Sequence, residues 1–215
     1  MSTVNIVKSM LPERTVERLS EYRRTLLQCL AEGKDYIYSH ELAIMHDITA
    51  VQVRRDIMLM GFSGALKKGY DVKDLIDSIG KLLDYDAGIN IAIVGLGHLG
   101  SAVTAYFIGK RSKLNIVAAF DVDPLKIEKG IVGIKCYHID KMAEIISEKE
   151  ISIGVITVPS NVAVETSEKL VNAGIKGILN FTSVPLKVPD DVFLENKDMV
   201  SSLEKIAFFV KEKLP

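Results

Sequence analysis

The sequence predicts an α/β protein in which a small helical domain precedes a doubly wound parallel sheet. Over residues 12–30 and 72–83 the apolar side chains recur at helical spacing. From residue 89 onward, short apolar runs rich in β-branched residues alternate with helical segments, which is typical of buried parallel strands connected by helices. The pattern changes near residues 84–88. We therefore expect domains at 1–85 and 86–190, followed by a C-terminal segment at 191–215 that ends in an apolar helix.

The composition indicates a folded protein of one or two domains. The chain has 215 residues, of which 48% are hydrophobic, and a formal net charge of −1, which excludes a disordered chain. No apolar run is long enough to cross a bilayer and the N-terminus lacks a signal pattern, so we expect a cytoplasmic protein with no membrane contact. Cys29 and Cys136 are too few for a disulfide framework and match no zinc spacing, so we expect free thiols and no metal site.

The helices of the N-terminal part have the order of a helix-turn-helix. The first is expected over residues 12–30, with Pro12 in its first turn. The second is expected to begin near Ser39 as its N-cap and the third near Thr49. The glycine- and lysine-rich stretch 61–70 predicts a hairpin, and an amphipathic helix over residues 72–83 follows it.

The third helix and the hairpin carry candidate contacts to double-stranded DNA. A recognition helix presents its early residues to base edges, where glutamine pairs with adenine and arginine with guanine. Arginine also binds phosphate, and basic residues of a wing reach a minor groove. From Thr49 to Tyr70, four basic residues stand against one acidic residue. The alternative is a solvated charged face on a helical domain. The candidate residues are Thr49, Gln52, Arg54, Arg55, Lys67 and Lys68.

A glycine-rich turn between the first predicted strand of the sheet and the next helix predicts a dinucleotide site. The turn reads Gly95-Leu96-Gly97-His98-Leu99-Gly100. Its first glycine permits the tight turn, its second lets the backbone approach a pyrophosphate, and its third allows close packing of helix and strand. The N-terminus of the helix then offers free N–H groups to the phosphates. The alternative is a strand–helix turn that binds no ligand.

An acidic residue stands where a Rossmann domain holds the adenosine ribose. Asp121 lies 21 residues after Gly100, at the end of the second apolar run, and Val122 follows it. A carboxylate there accepts hydrogen bonds from ribose hydroxyls and repels a 2′-phosphate, which favours NAD(H) over NADP(H). The nearest following cation is Lys126.

The third apolar run ends in Thr157-Val158-Pro159, which we expect on the nicotinamide side of the site; the alternative is an ordinary strand end.

A dehydrogenase needs an acid or base beside the nicotinamide. No histidine follows the later strands, and little chain remains for a substrate domain. The sequence therefore favours binding without turnover, with a small NAD-dependent reductase carrying an accessory N-terminal domain as the alternative.

The chain resembles the Rex family of redox-sensing repressors over nearly its whole length. The segments that carry the resemblance are ITAVQVRRD, IVGLGHLGSA, FDVDP, TVP and AGIKGILNF. The resemblance implies a homodimer in which each subunit has a winged helix, a Rossmann domain and a C-terminal helix swapped onto its partner. It also implies that NAD⁺ permits operator binding whereas NADH releases the DNA, and that the target genes serve fermentation and respiration. It implies no enzymatic activity.

The resemblance implies roles for three further residues and shows two departures. Arg24 matches an arginine that pairs with an aspartate, here Asp198, of the C-terminal region. Tyr106 matches a tyrosine that competes for that aspartate, and we also expect it beside the dinucleotide. Where the family usually packs an aromatic residue on the partner's nicotinamide, this chain has Met199. In the wing, residues 65–66 are Ala-Leu where the family commonly has a basic pair.

Overall fold

The computed structural model describes residues 11–64, 68–108 and 113–211. The chain divides between Tyr85 and Asp86 into two compact units.

The described residues of the first unit form four helices and a small antiparallel sheet. Its buried core includes Leu19, Tyr22 and Leu26 from the first helix and Ile57 from the third. The helices are α1 (Glu13–Ala31), α2 (Ser39–Met45), α3 (Ala50–Leu59) and α4 (Val72–Leu83), and the strands are β1 (Tyr36–Ile37) and β2 (Tyr70–Asp71).

The ends of these helices differ in detail from the sequence-based expectation. Pro12 is the N-cap of α1 and not part of its first turn. The N-cap of α2 is Tyr38 instead of Ser39, because the Glu41 carboxylate accepts a hydrogen bond from the Tyr38 N–H at 2.8 Å. Thr49 caps α3 as predicted, its hydroxyl accepting from the Gln52 N–H at 3.1 Å.

The stretch 61–70 forms no two-stranded hairpin within its described residues. The stretch ends in β2, and there Tyr70 pairs with Ile37 of β1 instead of with another residue of the stretch. The chain nevertheless doubles back, since a Cβ added to Gly64 would lie 2.8 Å from the Gly69 carbonyl oxygen. The expected hairpin is thus a narrow loop in its described part, and residues 65–67 lie outside the description.

The second unit is built around a six-stranded, wholly parallel sheet in the order β5-β4-β3-β6-β7-β8. The strands are β3 (Ile89–Val94), β4 (Leu114–Asp121), β5 (Cys136–His138), β6 (Ile151–Ile156), β7 (Gly177–Asn180) and β8 (Phe193–Asn196). The helices are α5 (His98–Phe107), α6 (Pro124–Lys129), α7 (Met142–Glu148), α8 (Ala163–Asn172) and α9 (Met199–Lys211).

This strand order confirms the doubly wound prediction. The chain builds outward from β3 in one direction and from β6 in the other, so the order reverses between β3 and β6. Such a reversal opens a crevice at the carboxyl ends of the two strands. Strands β5 and β8 were not predicted from the sequence. Both lie at an edge of the sheet and are short, and neither shows the apolar run of a strand buried on both faces.

Alternate residues of the central strands enter different cores, as the two-residue period of a strand requires. Val94, Phe120 and Ile156 belong to a cluster that contains Ile145 of α7 and Leu170 of α8. Ile93, Ala119 and Val155 belong to a second cluster with Val103 of α5. The sheet is therefore covered by helices on both faces.

The C-terminal helix α9 differs from every other long helix of the described chain, since each of its residues is exposed. Phe208 and Phe209 have 65% and 61% of their surface exposed. Among the described residues, no helix is both long and apolar enough to span a bilayer.

Candidate functional site

A cleft of about 720 Å³ opens at the carboxyl ends of β3, β4 and β6, where the strand order reverses. The predicted site residues that line it are Gly95, Gly97, His98, Leu99, Asp121, Val122, Thr157, Val158 and Pro159. Leu96 and Gly100 are buried beside the cleft and shape it without lining it. Tyr106 and Met199 do not line this cleft; they are 60% and 54% exposed.

The glycine loop has the geometry that its sequence predicts. Gly95 has φ +94°, a value that side-chain-bearing residues rarely adopt. A Cβ on Gly100 would overlap the Gly95 carbonyl oxygen and lie 2.7 Å from Thr157 Oγ1. By contrast, a Cβ on Gly97 would meet nothing within 4 Å, and Gly97 lines the cleft. The loop is therefore tightly packed against the protein at Gly100, whereas Gly97 leaves space beside the cleft. A pyrophosphate needs this space to approach the backbone.

Helix α5 begins at His98, which lines the cleft together with Leu99. Gly97 is its N-cap, and no side chain caps it. The free N–H groups and the positive end of the helix dipole are available for an anion. The residues present thus fit a dinucleotide pyrophosphate.

Asp121 ends β4 beside the loop and is buried, with 8% of its surface exposed. Its Oδ2 accepts from the Leu96 N–H at 2.6 Å and from Lys126 Nζ at 3.2 Å. Its Oδ1 accepts from the N–H groups of Val122 and Asp123 at 2.8 and 3.0 Å. Burial by itself would raise the pKa of Asp121, but these hydrogen bonds outweigh it and the pKa lies below its ordinary value. The group is a carboxylate at neutral pH.

Thr157 holds the glycine loop in place. Its hydroxyl lies 2.8 Å from the Gly95 carbonyl oxygen and 3.0 Å from that of Val94. The hydroxyl thus has acceptors within the protein, and Val158 and Pro159 continue the wall of the cleft.

The cleft is also lined by residues that the sequence did not single out. Among them, Ile139 and Val162 add to the apolar lining that Val122 and Val158 provide, and such a lining suits a planar base. The residues that the structure adds are Val94, Phe120, Lys126, Ile139, Asn161, Val162, Glu165, Thr166 and Lys169. Of these, Val94 and Phe120 belong to the segments IVGLGHLGSA and FDVDP, and the position of Lys126 near the acid was a usable signal. The others belong to no motif.

The candidate recognition helix α3 is anchored through Asp56, which is fully buried. Arg18 donates to both carboxylate oxygens at 2.6 and 2.7 Å, and the Tyr22 hydroxyl donates to Oδ2 at 2.9 Å. Thr15 Oγ1 lies 3.3 Å from Oδ1. Gln52, a predicted base contact, donates its amide to Oδ1 at 2.9 Å. The network joins α1 to α3 and occupies an amide donor of Gln52.

The predicted basic contacts lie at the surface. Arg54 and Arg55 are exposed on α3, and Arg54 Nη1 donates to Ser39 Oγ of α2 at 3.1 Å. Lys68 is exposed, with its Nζ 5.9 Å from the centre of the Tyr36 ring. Lys67 lies outside the described residues.

The structure gives the immediate surroundings of each residue of the expected partner exchange. Arg24 is exposed on α1. Asp198 accepts from the N–H groups of Val200 and Ser201 and from the Ser201 hydroxyl at the start of α9, and these bonds lower its pKa. The Tyr106 ring lies edge-on to Phe107.

Comparison with known proteins covers both units. Residues 86–184 match the family described as CoA binding domain, and residues 10–57 match the family described as putative DNA-binding protein N-terminus.

Two relatives that match nearly the whole chain have the same name. The chain is 38% identical to "Redox-sensing transcriptional repressor Rex" of Leuconostoc citreum (strain KM20) over 93% of each chain. It is 35% identical to the protein of that name from Lactobacillus acidophilus, over 94% of this chain and 96% of the relative.

Solved structures of RSP, a Rex-family repressor, resemble this chain at 33% identity. The structure of RSP with β-NAD⁺ and operator DNA has a TM-score of 0.88 and covers 95% of this chain and 94% of its own. The structure with β-NADH has a TM-score of 0.83 and covers 95% and 96%.

Proposed function

The chain belongs to the Rex family of redox-sensing transcriptional repressors, and on that basis we propose that it represses transcription in response to the NADH/NAD⁺ ratio. It binds operator DNA as a homodimer, with NAD⁺ or without ligand, and leaves the DNA when NADH binds. It is a regulator and not an enzyme, in keeping with the names of its relatives. We assign it to the cytoplasm, where DNA and the NAD(H) pool meet.

One observation carries this proposal: a single chain combines a dinucleotide cleft with a helix-turn-helix. The cleft has an open Gly97 and an ionised Asp121, which suit a pyrophosphate and a ribose. The helix-turn-helix exposes Arg54 and Arg55 on a helix whose orientation Asp56 fixes. A sensor of this kind needs both parts. The similarity to RSP, solved with NAD⁺ and operator DNA and with NADH, extends over both of them.

For the DNA contacts, we assign Arg54 and Arg55 the principal role. Both are exposed. The hydrogen bond from Arg54 to Ser39 already orders the Arg54 side chain, so less conformational entropy is lost when this side chain binds DNA. Thr49 sits at the N-terminus of α3, where its backbone suits a phosphate contact. Gln52 donates one amide N–H to Asp56, so it can read a base only through its second amide N–H and its amide oxygen. Lys67 and Lys68 complete the contacts from the wing.

For the dimer, we propose that α9 packs on a second copy of the chain. It exposes seven large apolar residues along 13 positions, more than an isolated helix keeps in contact with water. Asp198 at its start would exchange between Arg24 and Tyr106 as the DNA-binding state and the NADH-bound state interconvert. Met199 would lie against the partner's nicotinamide.

The proposed domains are 1–85, the winged helix; 86–190, the Rossmann domain; and 191–215, the dimerisation segment.

The test is fluorescence anisotropy of a labelled promoter fragment from a fermentation gene at fixed salt, with NADH titrated against a constant excess of NAD⁺. NADH should release the DNA, whereas NAD⁺ alone should not. Arg54→Ala should lose operator binding and keep NADH binding. Lys81→Ala, which removes the same charge from the exposed end of α4, should behave as the wild type. DNA that stays bound while NADH is demonstrably bound would refute the proposal.

A further inference from the structure

The acceptor positions of Asp121 are already filled by the protein. A carboxylate offers about four lone-pair positions, and Asp121 receives four donors: the N–H groups of Leu96, Val122 and Asp123, and the Lys126 ammonium. A ribose hydroxyl can therefore donate to this carboxylate only if one of these donors gives way or shares its position.

Lys126 is the donor that can give way. The other three are backbone N–H groups of the glycine loop and of the turn after β4, at 2.6 to 3.0 Å. The Lys126 contact is the longest of the four at 3.2 Å, and its side chain is flexible and 37% exposed. It also reaches Oδ2 from the cleft, which Lys126 lines.

We propose that Lys126 acts with Asp121 as a paired reader of the ribose and sets the preference between NADH and NADPH; this rests on the proposed function. One ribose hydroxyl donates to Oδ2 at the position that the ammonium now holds. The ammonium shifts and donates to the oxygen of the neighbouring hydroxyl. A diol satisfies both partners because each hydroxyl can donate and accept.

The same pairing limits how strongly Asp121 excludes a 2′-phosphate. An isolated carboxylate would repel the phosphate, but the ammonium beside it offsets that charge and attracts the phosphate. The other charged side chains lining the cleft, Glu165 and Lys169, form an ion pair with each other at 2.8 Å. Lys126 is therefore the cation placed to reduce discrimination against NADPH, and removing it should sharpen that discrimination.

The experiment measures the Kd of NADH and of NADPH for the full-length protein from the fluorescence of the reduced nicotinamide. The variants are Lys126→Met and the control Lys129→Met, an exposed lysine on the same helix that does not line the cleft. Lys126→Met should weaken NADH about tenfold, as expected for one hydrogen bond to a charged group. It should weaken NADPH about a hundredfold, because the counter-charge is lost as well. The ratio of the two Kd values should thus rise about tenfold, whereas Lys129→Met should leave it unchanged.

A ratio that does not change in Lys126→Met would overturn the inference, whether NADH affinity stays as in the wild type or both affinities fall equally. In either case the proposed function stands, since the wild type still binds NADH. Failure of the wild type to bind either dinucleotide would overturn the proposed function and the inference together.

Discussion

Adding one methyl group at Gly97 or at Gly100 should have opposite consequences, although both glycines belong to the same motif. A Cβ at Gly97 meets no atom within 4 Å and faces the cleft. We expect Gly97→Ala to fold with a loss of about 1 kcal/mol or less, the scale of an unfavourable helix N-cap. Its NADH affinity should fall at least tenfold, about 1.4 kcal/mol, because the methyl group occupies the space that the pyrophosphate needs.

Gly100→Ala should instead destabilise the second unit. The added Cβ would overlap the Gly95 carbonyl oxygen and lie 2.7 Å from Thr157 Oγ1, so backbone must move to admit it. Overpacking of this kind costs up to about 3 kcal/mol where side chains can adjust, and here the obstructing atom belongs to the backbone. We expect a loss of about 3 kcal/mol or more and a melting temperature lower by about 10 °C.

The assays are urea unfolding and NADH titration of both variants beside the wild type. Gly97→Ala should separate binding from stability, and Gly100→Ala should lose both. Wild-type NADH affinity in Gly97→Ala would refute the placement of the pyrophosphate at this loop. Equal stability of the two variants would refute the account of how α5 packs on β3.

Three further predictions concern other parts of the molecule. Asp56→Ala should lower the stability of the first unit by about 3 kcal/mol, because it leaves the Arg18 guanidinium unpaired; urea unfolding measures this. Burial tends to raise the pKa of Asp56, but hydrogen bonds led by Arg18 lower it overall. The stabilisation by Asp56 should thus be present above about pH 4, the pKa of an unfolded aspartate, and should vanish as the pH falls through the lower pKa of the folded state. An unfolding free energy with the same acid dependence in the variant as in the wild type would contradict this. Cys29 and Cys136 are buried and burial raises the pKa of Cys136 to about 11, so neither should react with iodoacetamide at pH 8 in the folded protein, and the Cys29→Ala/Cys136→Ala variant should still release DNA with NADH. Met199→Phe should tighten NADH about threefold in fluorescence titration, as an added ring–ring contact would; unchanged affinity would remove Met199 from the nicotinamide site.

Features that depend on a few neighbouring residues could be predicted well. The helix over residues 72–83 has the predicted bounds because its apolar side chains repeat along one face and Asp71 caps it. The glycine loop follows β3 and opens α5 as predicted, and Asp121 ends the next strand. Each of these features rests on local backbone geometry or on a period within a dozen residues.

Features that depend on distant partners could not be predicted. Gln52 looked like a free base reader, but its amide is held by Asp56, which Arg18 and Tyr22 also contact from 38 and 34 positions away. Thr157 lines the cleft as expected, but the bond from its hydroxyl to the Gly95 carbonyl oxygen, 62 positions earlier, could not be predicted.

The sequence by itself thus determined the α/β class, the alternation of strands and helices, the glycine loop and the acid that follows it, since short-range sterics and periodicity specify these. Only the tertiary structure decided that β5 and β8 extend the sheet, because edge strands carry too little apolar sequence to be recognised before they pair. It also decided that Lys126 lies against Asp121, because a flexible side chain takes its partner from the surrounding fold and not from its position in the chain.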